Sequence, residues 1–299
     1  MNFYHKQKNK LLSLIESAFP LLFLVPLAPY IGGLLFAEGF SGAFPVSSFL
    51  GLIVVCILFI SGFNIFNSVY DHKIDFINKS FRGIPSGIIT KKEALLFSFI
   101  CFAISLFLSL LINIQFFIFI LINIFLAVLY SLPPIRLKEK YVISNVTIAF
   151  SFGLIPALLG LSIFGEISES SLPFLFSILF LYTSVSFLKD FEDHLGDKMY
   201  GVKTFSSVLG LRSARKWIIF SIFCSYFFIL GLTFFGFFRS ITYMMGLFFF
   251  WILYINNLLV RIERGEEKNI TTSATLLVWH MTLFGSVSIL VLAILNTIF

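Results

Sequence analysis

Two polar stretches in an otherwise apolar chain carry the side chains best suited to chemistry. The first, residues 64–90, reads NIFNSVYDHKIDFINKSFRGIPSGIIT, and in it Asn67, Asp71 and Asp75 recur every four residues. On a continuing helix that spacing stacks all three on one face. Two carboxylates and an amide oxygen make a hard-oxygen surface suited to a divalent cation such as Mg²⁺. Gly83, Pro85 and Gly87 then break the helix, with Lys79 and Arg82 nearby as cations. The second stretch, residues 189–204, reads KDFEDHLGDKMYGVKT and spaces Asp190, Asp193 and Asp197 by three and four, again one helical face. Carboxylates alone repel one another. A divalent cation shared with a ligand phosphate removes that conflict, because Mg²⁺ takes one or two carboxylates together with phosphate oxygens. The two clusters are expected to be halves of one metal–polyanion site.

The elements that must hold these clusters are membrane helices. The chain of 299 residues is 59% hydrophobic and 12% charged, with 42 Phe. Uncharged runs long enough to cross a bilayer, about 20 residues, recur along it. They are continuous rather than alternating, which excludes a closed β-barrel. The expected fold is all-α and polytopic, one transmembrane domain over residues 1–299. Charged residues bound the spans at 17–37, 39–70, two within 94–135 with the turn near Asn113 and Gln115, then 141–165, 170–188, 217–238, 240–260 and 269–299. The start, MNFYHKQKNK, is basic, but the long apolar stretch after it has no small-residue cleavage site, so no cleavable signal peptide is expected.

Nine spans place 20 of the 21 Lys and Arg on the side of the N-terminus, with only Arg239 opposite. The positive-inside rule then sets the N-terminus and both acidic loops in the cytoplasm of a multi-pass inner-membrane or equivalent protein. The net charge of +6 is therefore topological, and nucleic-acid binding needs no appeal. Cys56, Cys101 and Cys224 lie in apolar runs and read as small buried hydrophobes.

Other polar residues carry weaker signals. In YSLPPIRLKEK, Pro133 and Pro134 end a span, and Lys138 and Lys140 read as positive-inside anchors; the ring of Tyr130 could face a developing cation. His72 and His194 show no zinc pattern and read as solvated neighbours of the acids. Glu16 and His280, near or within spans, are candidates only because ionisable groups at membrane depth are often functional.

The segment NSVYDHKID followed by INKSFRGIPSG resembles the NDxxDxxxD…RPIPSG signature of the UbiA-type intramembrane prenyltransferase superfamily. KDFEDHLGDKMYGVKT resembles its second signature, KDxxDxxGDxxxGxxT, and YSLPPIRLK with the later Asn145 resembles the stretch between them. The resemblance implies nine helices around a central cavity, with Mg²⁺ holding a polyprenyl diphosphate at its cytoplasmic mouth and the prenyl group passing to a lipophilic or aromatic acceptor. Carried over residue by residue, it implies that Asn67, Asp71 and Asp75 form one metal–diphosphate cluster and Asp193 and Asp197 the other, with Asp190 helping. It further implies that Arg82 and Lys189 contact diphosphate oxygens and that Tyr130 lies near the allylic carbon, with Asn145 also at the substrate. Ser68 stands where the family often has Asp, and Gly83 where it often has Pro; the second departure is expected to loosen the loop carrying Arg82.

The Ile-Asn-Lys segment before Arg82 looks closer to the branch that acts on geranylgeranylglycerol phosphate or chlorophyllide than to the 4-hydroxybenzoate branch of quinone biosynthesis, which is the alternative. A transporter with acidic sites is the competing class, but transporters place substrates near the bilayer midplane, whereas these acids sit at span mouths.

Overall fold

In the computed structural model the described residues are 10–18, 23–38, 44–78, 83–165, 167–264 and 285–297. Arg82, His280 and the stretch 265–284 lie outside them, as does the side chain of Glu16. Seven helices are long and apolar enough to cross a membrane: Val46–Tyr70, Lys91–Ile112, Ile114–Ser131, Ile143–Ser162, Glu169–Phe191, Leu211–Phe234 and Ser240–Glu263. Two shorter apolar helices, Leu24–Ala37 and Gly285–Thr297, stand at the positions expected for the first and ninth spans. In chain order these are spans one to nine, and no strand occurs among the described residues. The chain is thus an all-α, multi-pass membrane protein.

Burial separates inner spans from outer ones. Spans two, five and six are 61, 67 and 61% buried, against 22–33% for spans three, four, seven and eight. The outer spans present Phe99, Phe107, Leu111, Phe125, Phe220 and Phe227 outward, as a helix surrounded by lipid tails can do at no cost. Cys224 belongs to that exposed surface, correcting the expectation that all three cysteines are buried. The two acidic segments hang from inner spans, which is why their carboxylates end up in the interior.

Local chemistry sets the span ends. Asn113 ends span three and caps span four, its Oδ1 accepting from the Phe116 N–H at 2.7 Å while its Nδ2 donates to the Ser162 carbonyl at 2.9 Å. Thr90 and Glu93 form a capping box at the start of span three. Spans seven and three begin earlier than the charge boundaries suggest, because helices continue past the membrane with their charges solvated or paired; Arg215 Nε–Glu263 Oε2 at 2.7 Å is one such pair.

Spans one and five cross at backbone contact. A Cβ on Gly33 would lie 2.2 Å from the Ala157 carbonyl oxygen, and one on Gly160 2.2 Å from that of Tyr30, so only glycine permits the crossing. Spans two and five each contain a wider π-helical segment, Ile53–Phe59 and Phe150–Leu154. Beside these segments Phe63 meets Phe152 edge-on at 5.0 Å, with Tyr130 5.7 Å from Phe63.

Candidate active site

The first acidic segment does not continue span two without a break. The helix ends at Tyr70, Asp71 takes φ −92 and ψ 6, and a new helix runs His72–Asn78. The backbone bonds Asp71 N→Asn67 O and Asp75 N→Asp71 O, 2.9 and 2.8 Å, carry the fourfold spacing across the junction. Asn67, Asp71 and Asp75 therefore stay on one side, although the expected single helix is broken. The second segment is the helix Lys189–Met199, directly after span six, and it packs against His72–Asn78. The two acidic clusters are brought together.

Asp71 is 1% exposed and carries two cations that the sequence reading had not given to the site. Arg136 Nη2 lies 2.8 Å from its Oδ1, and Lys138, 3% exposed, bonds its Oδ2. Lys138 is therefore not a solvated anchor, which corrects the expectation; Lys140 is exposed and fits it. Burial alone would raise the Asp71 pKa, but Lys138 and then Arg136 outweigh it and hold the carboxyl below its usual value. Arg136 also pairs with Glu139 at 2.8 Å and sits at φ +37, a left-handed backbone that a non-glycine residue adopts only when its contacts hold it there. The cations at 136, 138 and 140 alternate along irregular backbone, and spacing alone could not say which point inward.

Asn67 is an orienting group in this arrangement. Its Nδ2 donates to Asp71 Oδ2 at 2.9 Å, and its Oδ1 accepts from the Ser131 hydroxyl at 3.2 Å. Ser68, at the departure from the family pattern, donates to Asp75 Oδ2 at 3.0 Å. Gly83 is held rather than loosened: its N–H donates to Ser17 Oγ at 2.9 Å.

The second cluster is under opposite stress. Asp193 has Lys189 Nζ 3.4 Å away, but both Asp197 oxygens are buried and accept no hydrogen bond among the described residues. Burial, and then the neighbouring Asp193 charge, push the Asp197 pKa up to about 7 against the opposing pull of Lys138 and Lys189. Lys138 bonds Asp71, and its charge also acts on Asp193 and Asp197 of the second cluster. Asp190 is turned elsewhere: its Oδ2 accepts the Phe205 N–H at 2.9 Å and caps the next short helix. Asn145 is buried, its carbonyl accepting from Ser186 at 3.2 Å and its side chain reaching Asp190. The pair Asp190–Asn145 thus braces the helix carrying Asp193 and Asp197.

Tyr130 is buried in the last turn of span four. Lys189 Nζ donates to its hydroxyl at 3.3 Å. The histidines make local contacts, His72 Nε2 with Lys91 Nζ at 3.0 Å and His194 Nδ1 with Ser206 Oγ at 3.3 Å.

Among the described residues no three His, Cys, Asp or Glu side chains already converge on a metal position. The donor chemistry nonetheless fits Mg²⁺. The carboxylates are hard oxygen ligands, and the two unpaired buried oxygens of Asp197 call for a cation. Asn67, Asp71, Asp75, Asp193 and Asp197 could hold it.

The UbiA prenyltransferase family model matches residues 27–283. A digeranylgeranylglyceryl phosphate synthase of Sulfurisphaera tokodaii is 33% identical over 221 residues, 73% of this chain and 76% of that protein. One of Methanosarcina mazei is 34% identical over 177 residues, 58% of this chain and 60% of that protein. A UbiA homologue from Archaeoglobus fulgidus, solved with GPP and Mg²⁺, superposes with TM-score 0.70 at 22% identity, covering 94% of this chain and 99% of that one. With two acidic helices packed together at the ends of inner membrane spans, the chain belongs to the UbiA prenyltransferase family and is a multi-pass membrane prenyltransferase.

Proposed function

We propose that the protein transfers a polyprenyl group from a polyprenyl diphosphate to a glyceryl phosphate lipid that already carries one prenyl chain, with Mg²⁺ as cofactor. The observation that carries this reading is the packing of the two acidic helices against each other, with Lys138 buried on Asp71. Relatives named digeranylgeranylglyceryl phosphate synthase support the acceptor class. The lysine and arginine distribution supports a cytoplasmic N-terminus and cytoplasmic acidic helices.

Bound between the clusters, Mg²⁺ would supply Lewis-acid stabilisation of the charge that builds on the departing diphosphate. Asp71, Asp75, Asp193 and Asp197 would hold the ion, with Asn67 orienting Asp71. Arg136 and Lys138 on Asp71, and Lys189 on Asp193, supply cations to the two clusters; Arg82 follows the first acidic helix in sequence. Arg is suited to diphosphate because its planar fork binds two oxygens at once. Were Arg136 and Lys138 to engage the diphosphate, Asp71 would be free to hold the metal. Lys189 fixes the Tyr130 phenol, whose ring lies beside Phe63 and leads toward Phe152. That buried aromatic surface shields the allylic carbon from water while its bond to oxygen breaks, and its π faces favour the positive charge left on the carbon. The acceptor hydroxyl oxygen then forms the new C–O bond, its proton passes to an oxygen of the released diphosphate, and the diphosphate leaves.

An acceptor carrying a phosphate monoester gives these cations a second task, since two anionic head groups must be held at one mouth. The test offers purified protein geranylgeranyl diphosphate with geranylgeranylglyceryl phosphate or with 4-hydroxybenzoate and identifies products by mass spectrometry. Ether-lipid product alone is expected. Prenylated 4-hydroxybenzoate alone would move the protein to the aromatic branch, and no product with any prenyl diphosphate would overturn the proposal.

A further inference from the structure

The short helix Lys10–Ala18 precedes the bundle and has no place in the chemistry above, yet it touches both flanks of the first acidic segment. Ahead of that segment, Asn64 Nδ2 donates to the Ala18 carbonyl at 3.1 Å, three residues before Asn67. Behind it, the Gly83 N–H donates to the buried Ser17 hydroxyl at 2.9 Å. Ala18 packs with Ile65, Val69, Ile84 and Ile89, residues from both flanks. Lys10 reaches Glu93 at 2.7 Å, and the other Glu93 oxygen accepts from the Thr90 N–H at the start of span three. That exposed ion pair contributes little alone; the buried hydroxyl contact is the firmer tie.

Gly83 is shaped for this contact. A Cβ there would stand 2.9 Å from Ser17 Oγ and 2.3 Å from Ile89 Cδ1. A proline, the residue the resembled signature often has, would remove the N–H that Ser17 accepts. Only four residues separate the helix His72–Asn78 from Gly83. The five Cα–Cα steps from Asn78 to Gly83 span at most about 18 Å, so fixing Gly83 limits how far the end of the acidic helix can travel.

We propose that the helix Lys10–Ala18 is a bracket that positions the first acidic segment for the donor diphosphate, with Ser17 as its positioning residue acting through the Gly83 amide. The functional half of this inference rests on the prenyl diphosphate reading; the mechanical half does not.

The test compares wild-type protein with Ser17→Ala and Ser17→Thr by hydrogen–deuterium exchange over residues 83–90 and by steady-state kinetics with geranylgeranyl diphosphate. Ser17→Ala is expected to speed exchange at the Gly83 amide and raise donor KM about fivefold with kcat little changed, the scale of one buried hydrogen bond. Ser17→Thr, which keeps the hydroxyl, is expected to restore both. Unchanged exchange, or a KM rise that threonine does not reverse, would overturn the bracket, as would a loss confined to Tm. If wild-type protein turns over no prenyl diphosphate, the prenyl-transfer reading and the diphosphate role both fail, and the exchange difference at Gly83 still decides the mechanical half.

Discussion

Asp71 and Asp197 are buried aspartates just beyond the ends of inner spans, on helices that touch, and they stand in opposite electrostatic states. Asp71 is oriented by Asn67 and neutralised by Arg136 and Lys138, so its carboxyl stays ionised below the usual range. Asp197 has no hydrogen-bond partner among the described residues, sits beside Asp193, and has its pKa pushed up to about 7. One half of the site is balanced by the chain itself; the other is short of positive charge. The difference teaches how a site for a metal and a diphosphate can be folded before either arrives. On the proposed reading, the cations that would meet the anion are held on one acid, and burial of Asp197 beside Asp193 raises its pKa instead.

The comparison breaks most clearly at its frustrated half. Asp197→Asn is expected to lower kcat/KM by about 10²–10³-fold, the cost of removing one charge-stabilising group from a transition state. Tm of the metal-free protein should hold or rise, because the repulsion with Asp193 is relieved. Unchanged activity would take Asp197 out of the mechanism, and a lower Tm would mean that its carboxylate is satisfied after all.

At the balanced half, stability is the larger readout. Lys138→Met leaves the buried Asp71 with Arg136 alone and is expected to cost about 2 kcal/mol, less than the 3–5 kcal/mol of an unpaired buried charge. Asp71→Asn in the Lys138→Met background should recover most of that stability and none of the activity. Denaturation in mild detergent reads the first value; equal losses in the single and double variants would disprove the pairing.

The pH dependence sharpens the contrast. An acid whose folded pKa is raised binds its proton in the native state at pH values where the unfolded chain has already lost it. The associated stability is present below the unfolded value near 3.8 and is lost as pH rises through about 7. Metal-free wild-type protein is therefore expected to lose stability between about pH 4 and 7, no more steeply than about 1.4 kcal/mol per pH unit for one proton. Asp197→Asn should flatten that slope, and an equal slope in both proteins would contradict the assignment.

The smallest effect belongs to Ser68, which donates to Asp75 at the departure from the family pattern. Ser68→Ala should raise donor KM about fivefold, near the 1 kcal/mol of a typical net hydrogen bond. A loss comparable to that of Asp197→Asn would show that the hydroxyl is part of the metal site itself.

By itself the sequence determined the membrane class, the approximate positions of the spans among the described residues, the turn at Asn113 and the two acidic clusters. Uncharged run length and i, i+4 spacing are local quantities, and a helix in lipid must satisfy its own backbone, so local pattern decides the element. Only the tertiary structure decided what each polar group faces. It turned Lys138 inward to Asp71 while leaving Lys140 outside, turned Asp190 away to cap Phe205, and broke the helix at Asp71. It also exposed Cys224 to the outer surface and tied Gly83 to Ser17, 66 residues away in sequence. The physical reason is common to all five. Charge balance, burial and backbone approach depend on which helices meet, and a cation two residues along an irregular strand of chain looks the same in sequence whether it points to water or to a buried carboxylate.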